Sequence, residues 1–235
     1  MALGRPKQDL NRADRILDAA ADLLVRLGYR KVTIEDIAQQ VGIGKGTVYL
    51  HWRTKQQLFE ALILREAIIY VDRLVDGLRG DPAMVLPHRL MAASFLIIHD
   101  RPVLREMFTG DAKQLQAVLA DSAIRGHDLF ATARFFDLLT RHGLLRDDVP
   151  NLAYALTAVH SGFHLLDNLD PAAALDVRAR ADSLAHIIMT AFEPAERPSP
   201  QVLTAAASEI MAVLEDVIPP YREWIYGHQR TSEPT

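Results

Sequence analysis

Residues 33 to 55, TIEDIAQQVGIGKGTVYLHWRTK, constrain this fold more than any other stretch. They encode two short helices, a sharp turn between them and the start of a long third helix. Thr33 is a good N-cap, and Asp36 stands where a capping partner reaches back to it. Ile34, Ile37, Ala38 and Val41 follow at helical spacing, so one face of the first segment is apolar. Gly42 supplies the left-handed backbone that stops a helix abruptly. The second segment begins near Gly44 and runs for about two turns to His51. Val48 and Trp52, four apart, face inward. Lys45, Gly46, Thr47, Tyr49 and His51 are left at or near the open face and its leading end. Thr54 caps the next helix, with Gln57 at the capping-box position.

A short helix with a small, polar, basic leading end fits the major groove of DNA. Lysine donates to phosphate or guanine, threonine donates or accepts, and the tyrosine hydroxyl reaches a phosphate. Glycine at position 46 lets the backbone approach closely. In a helix-turn-helix the second helix enters the groove and the first lies across the backbone.

The remaining chain reads as helix throughout. No alternating strand pattern or hairpin dipeptide occurs, and the predicted fold class is all-α. Helix 1 is predicted from about 11 to 27, with Ile16, Ala20, Leu23, Leu24 and Leu27 on one stripe and Gly28 ending it. Before it, residues 1 to 9 form a polar arm carrying Arg5 and Lys7, with Pro6 opposing helix. This arm is either a minor-groove or phosphate contact or a disordered tail. Helix 4 is predicted from Lys55 towards Leu78, about 36 Å at helical rise. Further helices are expected at about 84–100, 102–109, 112–125, 127–142, 150–168, 172–192, 200–217 and 220–227, separated by glycines and prolines.

The net charge of −4 looks unsuited to a DNA binder until it is divided. Residues 1–55 carry +4 and the rest −8, so the basic excess lies with the motif and the acidic body faces away from phosphate. The chain has no cysteine, which excludes disulfides and thiolate metal sites. No apolar run approaches the ~20 residues that span a bilayer, and the first residues lack a leader's apolar stretch. The expectation is a soluble cytoplasmic protein with no membrane partner.

The run IEDIAQQVGIGKGTVYLHWRTKQQLF resembles the DNA-binding signature of the TetR family of transcriptional regulators. The shared pattern comprises the threonine before the first helix and the Gly-x-x-x-Gly-Thr-x-Tyr core. An aromatic three positions after the tyrosine and a lysine before the long helix complete it. The resemblance covers about residues 12 to 60; beyond that only length and helical character agree. Gly44 departs from it, standing where many relatives carry serine or another capping side chain. The resemblance implies that Thr33, Lys45, Thr47, Tyr49, His51 and Lys55 contact DNA, with Gly46 allowing close approach. It implies a DNA-binding domain over 1–54 and a ligand-binding and dimerisation domain over 55–235.

In the resembled family the last two main helices pair with their equivalents in a four-helix dimer interface. Here these are about 150–168 and 172–192, where Ser161 and Gly162 permit close approach. The helix at 200–217 is additional to the simplest family plan. The resemblance also implies a small-molecule cavity. Its candidate lining is Phe95, His99, Met107, Phe108, Phe130, Phe135, Phe136, Tyr154, Phe163 and His164; plain core packing is the competing account of each.

His160 and His164 share a helical face at a metal-compatible spacing, but the glutamate of a zinc-protease helix is missing between them. Gly42 to Thr47 lacks the spacing and the preceding strand of a phosphate loop. No Gly-x-Ser-x-Gly elbow occurs. No metal, cofactor or catalysis is expected. The reading is a homodimeric regulator, a repressor released from a palindromic double-stranded DNA operator by an unknown small-molecule effector. The alternative is an architectural or partner-recruiting DNA-binding protein without an effector.

Overall fold

The computed structural model describes residues 5–108, 115, 117–118, 133–169 and 175–227. Among them every regular element is helical. The chain is all-α, as the periodicity predicts. The elements are α1 (Arg5–Leu27), α2 (Ile34–Val41), α3 (Lys45–His51), α4 (Lys55–Gly80), a 3-10 turn (Pro82–Val85), α5 (Pro87–Asp100) and α6 (Pro102–Glu106). After these come α7 (Ala133–Arg141), α8 (Leu152–Leu169), α9 (Val177–Phe192), α10 (Pro200–Glu215) and α11 (Ile218–Gly227).

Two elements depart from expectation, both at prolines. The predicted polar arm is helical from Arg5, because Pro6 lies in the first turn, where its missing N–H would have no partner anyway. The helix expected over 84–100 is divided at Leu86. Pro87 holds Leu86 out of the helical region, at φ −54° and ψ 128°, and starts α5 afresh. Asp81 caps the preceding 3-10 turn through the Ala83 N–H, and Met84 packs onto the bare Cα of Gly77. The expected helix at 112–125 falls largely outside the described residues.

The described elements form two compact units, and α4 contributes to both, dividing between Ala67 and Ile68. The first unit contains α1, α2, α3, the first part of α4, α6 and α11. Its core comprises Ile16, Leu17 and Leu24 of α1, Ile37 of α2, Val48 of α3, Trp52, and Leu58, Phe59 and Leu62 of α4, all buried. Arg65 of α4 bonds the Asp18 carboxylate at 2.8 Å and the Asp14 carbonyl at 3.2 Å. Tyr226 of α11 donates to Asp14 Oδ1 at 2.7 Å, and burial together with that carboxylate pushes its phenol pKa upward.

The second unit contains the rest of α4, the 3-10 turn, α5 and α7–α10. α5 packs mainly along α9, and α10 lies on the 3-10 turn and on α7. Ala181, Leu184, Ile188 and Phe192 form the buried stripe of α9, at the spacing of one helical face. Phe95 and Ile98 of α5 are fully buried. Tyr70 and Ser94 share a buried 2.8 Å hydrogen bond, and burial raises the Tyr70 pKa to about 12.

Candidate nucleic-acid interface

The helix-turn-helix assembles as its residues dictate. Thr33 and Asp36 close a full capping box at the start of α2. Asp36 N–H donates to Thr33 Oγ1 at 3.2 Å, while Thr33 N–H and Oγ1–H donate to Asp36 Oδ2 at 2.8 and 2.7 Å. Those bonds hold the Asp36 carboxyl pKa below its ordinary value. At the other end Gly42 adopts φ 75°, and Ile43 N–H reaches back to the Ala38 carbonyl at 3.0 Å. A side chain at 42 would be strained by that left-handed backbone. α1 braces the unit from behind. Arg15 donates to the Val41 carbonyl at 3.1 Å, and Gln40 of α2 donates to Asp22 at 2.9 Å. The start of α4 is fixed by Gln57 N–H to Thr54 Oγ1 at 3.1 Å and Arg53 N–H to Gln57 Oε1 at 2.9 Å.

Held this way, α3 presents Lys45, Gly46 and Tyr49 to solvent, with Thr47 half-buried beside them. The Lys45 ammonium lies 6.0 Å from the Tyr49 ring and 3.7 Å from the Glu35 carboxylate. A Cβ built on Gly46 meets nothing within 4 Å, so this end of α3 is open to an approaching surface.

Three expected contacts are placed otherwise. His51 is a correction: it is buried, its ring 5.5 Å from that of Trp52. Positions 48, 51 and 52 share one helical face, and burying Val48 carries His51 inward with it. Lys55 lies with its ammonium 4.3 Å from the Tyr29 ring centre and donates to the Tyr29 carbonyl. It also reaches the Arg30 carbonyl at 3.5 Å, so it braces the loop between α1 and α2. The Thr33 hydroxyl serves the capping box. Sequence reasoning missed Leu50, which is 70% exposed on α3, one helical turn after Gly46. The signal was available, since 46 and 50 are four apart.

The expected ligand-lining residues are brought together only in part. In the second unit Phe95 lies 4.9 Å from His164, 6.2 Å from Phe163 and 6.3 Å from His99, ring centre to ring centre. The Arg180 guanidinium lies 5.8 Å from the Phe95 ring. Phe135 packs edge-on against Phe136. Met107 and Phe108 belong to the first unit. Phe130 lies outside the described residues. Tyr154 is a correction: at 78% exposure it lines no interior, because it lies on the outer side of α8. A cleft of about 900 Å³ in the second unit involves other residues, among them Leu86, His88, Arg146, Met189, Glu193 and Arg197. At its floor the Glu193 carboxylate accepts from His88 N–H at 2.6 Å and meets His88 Nδ1 at 2.9 Å. The prolines at 194 and 198 were legible in the sequence only as helix breakers.

His160 and His164 lie 5.0 Å apart. Burial lowers the His160 pKa to about 4, against a weaker opposing bond with the Met91 backbone. Burial, with the nearby His160, His99 and Arg180, lowers that of His164 to about 3. Both imidazoles are therefore neutral in the folded chain while their unfolded counterparts take up protons below about 6.5. The unfolded state binds more protons over that interval, so stability falls with falling pH. Urea midpoints are expected to drop between pH 6.5 and 4.5, and His164→Leu to flatten the profile; an unchanged slope in that variant refutes the assignment.

Residues 16–62 match the family described as bacterial regulatory proteins, tetR family. Over 117 residues the chain is 35% identical to the HTH-type transcriptional repressor KstR2 of Mycolicibacterium smegmatis, covering 49% of this chain and 57% of that one. It is 28% identical over 155 residues to the HTH-type transcriptional activator FasR of the same organism, covering 63% and 68%. A solved structure described as the molecular basis for control of antibiotic production by bacterial hormones matches with a TM-score of 0.56 at 25% identity, covering 78% of this chain and 98% of that one. The chain thus spans little more than half of KstR2, and 26% of a Bacillus subtilis HTH-type regulator that it also resembles.

Proposed function

We propose that this chain, whose residues 16–62 match the tetR family of bacterial regulatory proteins, is a ligand-responsive transcriptional regulator that reads a palindromic operator as a homodimer. The observation that carries this reading is α3, held between the Gly42 turn and the Thr54 cap with Lys45, Gly46 and Tyr49 outward. Lys45 serves a phosphate or a guanine, Tyr49 a phosphate, and Thr47 a base edge or phosphate. The reading part is residues 1–54. Residues 55–235, which begin with α4, serve dimerisation and effector binding.

Dimerisation is supported by the outer faces of α8 and α9, where Tyr154, Leu165, Leu166, Ile187 and Met189 are exposed. Apolar residues concentrated on two adjacent helices favour burial against a copy of themselves, and a two-fold pair presents two α3 helices to a two-fold site. The Phe95 cluster, where the Phe163 ring is joined by His99, His164 and the Arg180 guanidinium, is the proposed effector site. An effector lowers operator affinity only by as much as it prefers the state that holds DNA poorly. Repression is the proposed output, as in the name of the KstR2 relative.

Selection of binding duplexes from a genomic pool, followed by footprinting, tests the reading. A protected palindrome with half-sites on one side of the duplex is expected; uniformly weak binding without sequence preference refutes it and favours an architectural role. On the selected site Lys45→Ala is expected to weaken binding and to reduce the slope of log affinity against log salt by about one per half-site. An unchanged slope removes Lys45 from the phosphate contacts.

A further inference from the structure

We infer that Leu50 reads the 5-methyl group of a thymine in each operator half-site; this rests on the DNA-reading proposal above. Leu50 is the most exposed leucine among the described residues, on a helix whose other outward positions are Lys45, Gly46 and Tyr49. Isolated exposed leucines are common on protein surfaces and carry no meaning by themselves. This one is distinguished by its neighbours. Gly46 lies one turn before it on the same side of α3. A Cβ built on Gly46 meets nothing within 4 Å, so the turn beside Leu50 is bare and open to an approaching surface.

The chemistry then selects the partner. A leucine neither donates nor accepts a hydrogen bond, so it distinguishes no base by its polar edge. The major groove offers one apolar group, the thymine methyl. Lys45 and Tyr49, together on the neighbouring side of α3, carry groups suited to phosphates, which would hold the backbone while Leu50 meets the base. Gly46 then serves as clearance, keeping the turn before Leu50 free of a side chain where the groove approaches.

The test uses the full chain and the duplex it selects from a randomised pool. Each thymine of the half-site is replaced in turn by deoxyuridine, which removes only the methyl group. The wild-type chain is expected to lose about fourfold in affinity at one thymine per half-site, the worth of one buried methyl. Leu50→Ala, with its fold checked by circular dichroism, is expected to bind the thymine and uracil duplexes equally. Leu50→Met is expected to keep the preference. The inference is overturned if a tight site is selected but no uracil replacement weakens it, or if the thymine preference persists in Leu50→Ala. Failure to select any site overturns the DNA-reading proposal and this inference with it, so the two failures are distinct.

Discussion

A chain carrying both Leu166→Glu and Ile187→Glu is expected to sediment as a monomer at concentrations where the unaltered chain is a dimer. Leu166 on α8 is 52% exposed and Ile187 on α9 is 40% exposed, so neither substitution disturbs the interior of its own unit. In a two-fold interface each carboxylate would be desolvated against an apolar partner face, and the symmetry doubles the cost. Gly162, one turn before Leu166 on α8, leaves the backbone bare enough for close helix approach, since an added Cβ there meets nothing. Operator affinity is expected to fall with the dimer, by about 10²–10⁴-fold, because two linked half-site contacts become one. Analytical ultracentrifugation and gel-shift titration on the same preparation check both effects. A doubly substituted chain that remains dimeric removes α8 and α9 from the interface; a monomer that keeps full operator affinity removes the requirement for a dimer.

Phe95→Ala is expected to destabilise the second unit by about 3–5 kcal/mol, the usual result of emptying an aromatic site that cannot collapse. Phe95 is fully buried and is ringed by His99, Phe163, His164 and Arg180, drawn from three helices. Both tryptophans, Trp52 and Trp224, belong to the first unit. Far-ultraviolet circular dichroism in urea therefore follows loss of helix in both units, and tryptophan fluorescence follows the first alone. The expected signature is a circular dichroism transition moved to lower urea. Phe95→Leu is expected to lose much less, since it retains most of the buried area. Equal losses for the two variants indicate that the ring itself, with its contact to the Arg180 guanidinium, carries the stability rather than the volume.

The first unit was legible nearly residue by residue. The Thr33–Asp36 cap, the left-handed Gly42, the Thr54–Gln57 cap and the inward Val48 and Trp52 all follow from local chemistry spread over a few residues. Capping bonds reach three or four positions, and a glycine's backbone freedom belongs to the glycine alone. Two side chains there lie elsewhere than expected. His51 was assigned outward because its side chain is polar, whereas its helical phase relative to Val48 points it inward. Lys55 is a DNA contact by the family resemblance, whereas its ammonium lies on the Tyr29 ring and carbonyl, more than twenty residues earlier in the chain.

The second unit shows where such reasoning stops. Helix positions were readable, apart from the break that Pro87 imposes, because periodicity and breakers are local. Which aromatic side chains meet was not. Phe95, Phe163 and His164 converge, Tyr154 on the same helix α8 lies outside, and Met107 and Phe108 belong to the other unit. Residue type assigned all six to one group, while helix phase and packing divided them. The sequence by itself thus determined the all-α class, the helix-turn-helix and its caps. The tertiary structure alone decided that His51 is core, that Lys55 is a brace, that Leu50 stands at the open face of α3, and that Glu193 closes onto His88 across more than a hundred residues. The physical reason is range: caps, turns and amphipathic stripes are set by neighbours within one helical turn, whereas burial depends on which distant face arrives to cover a side chain.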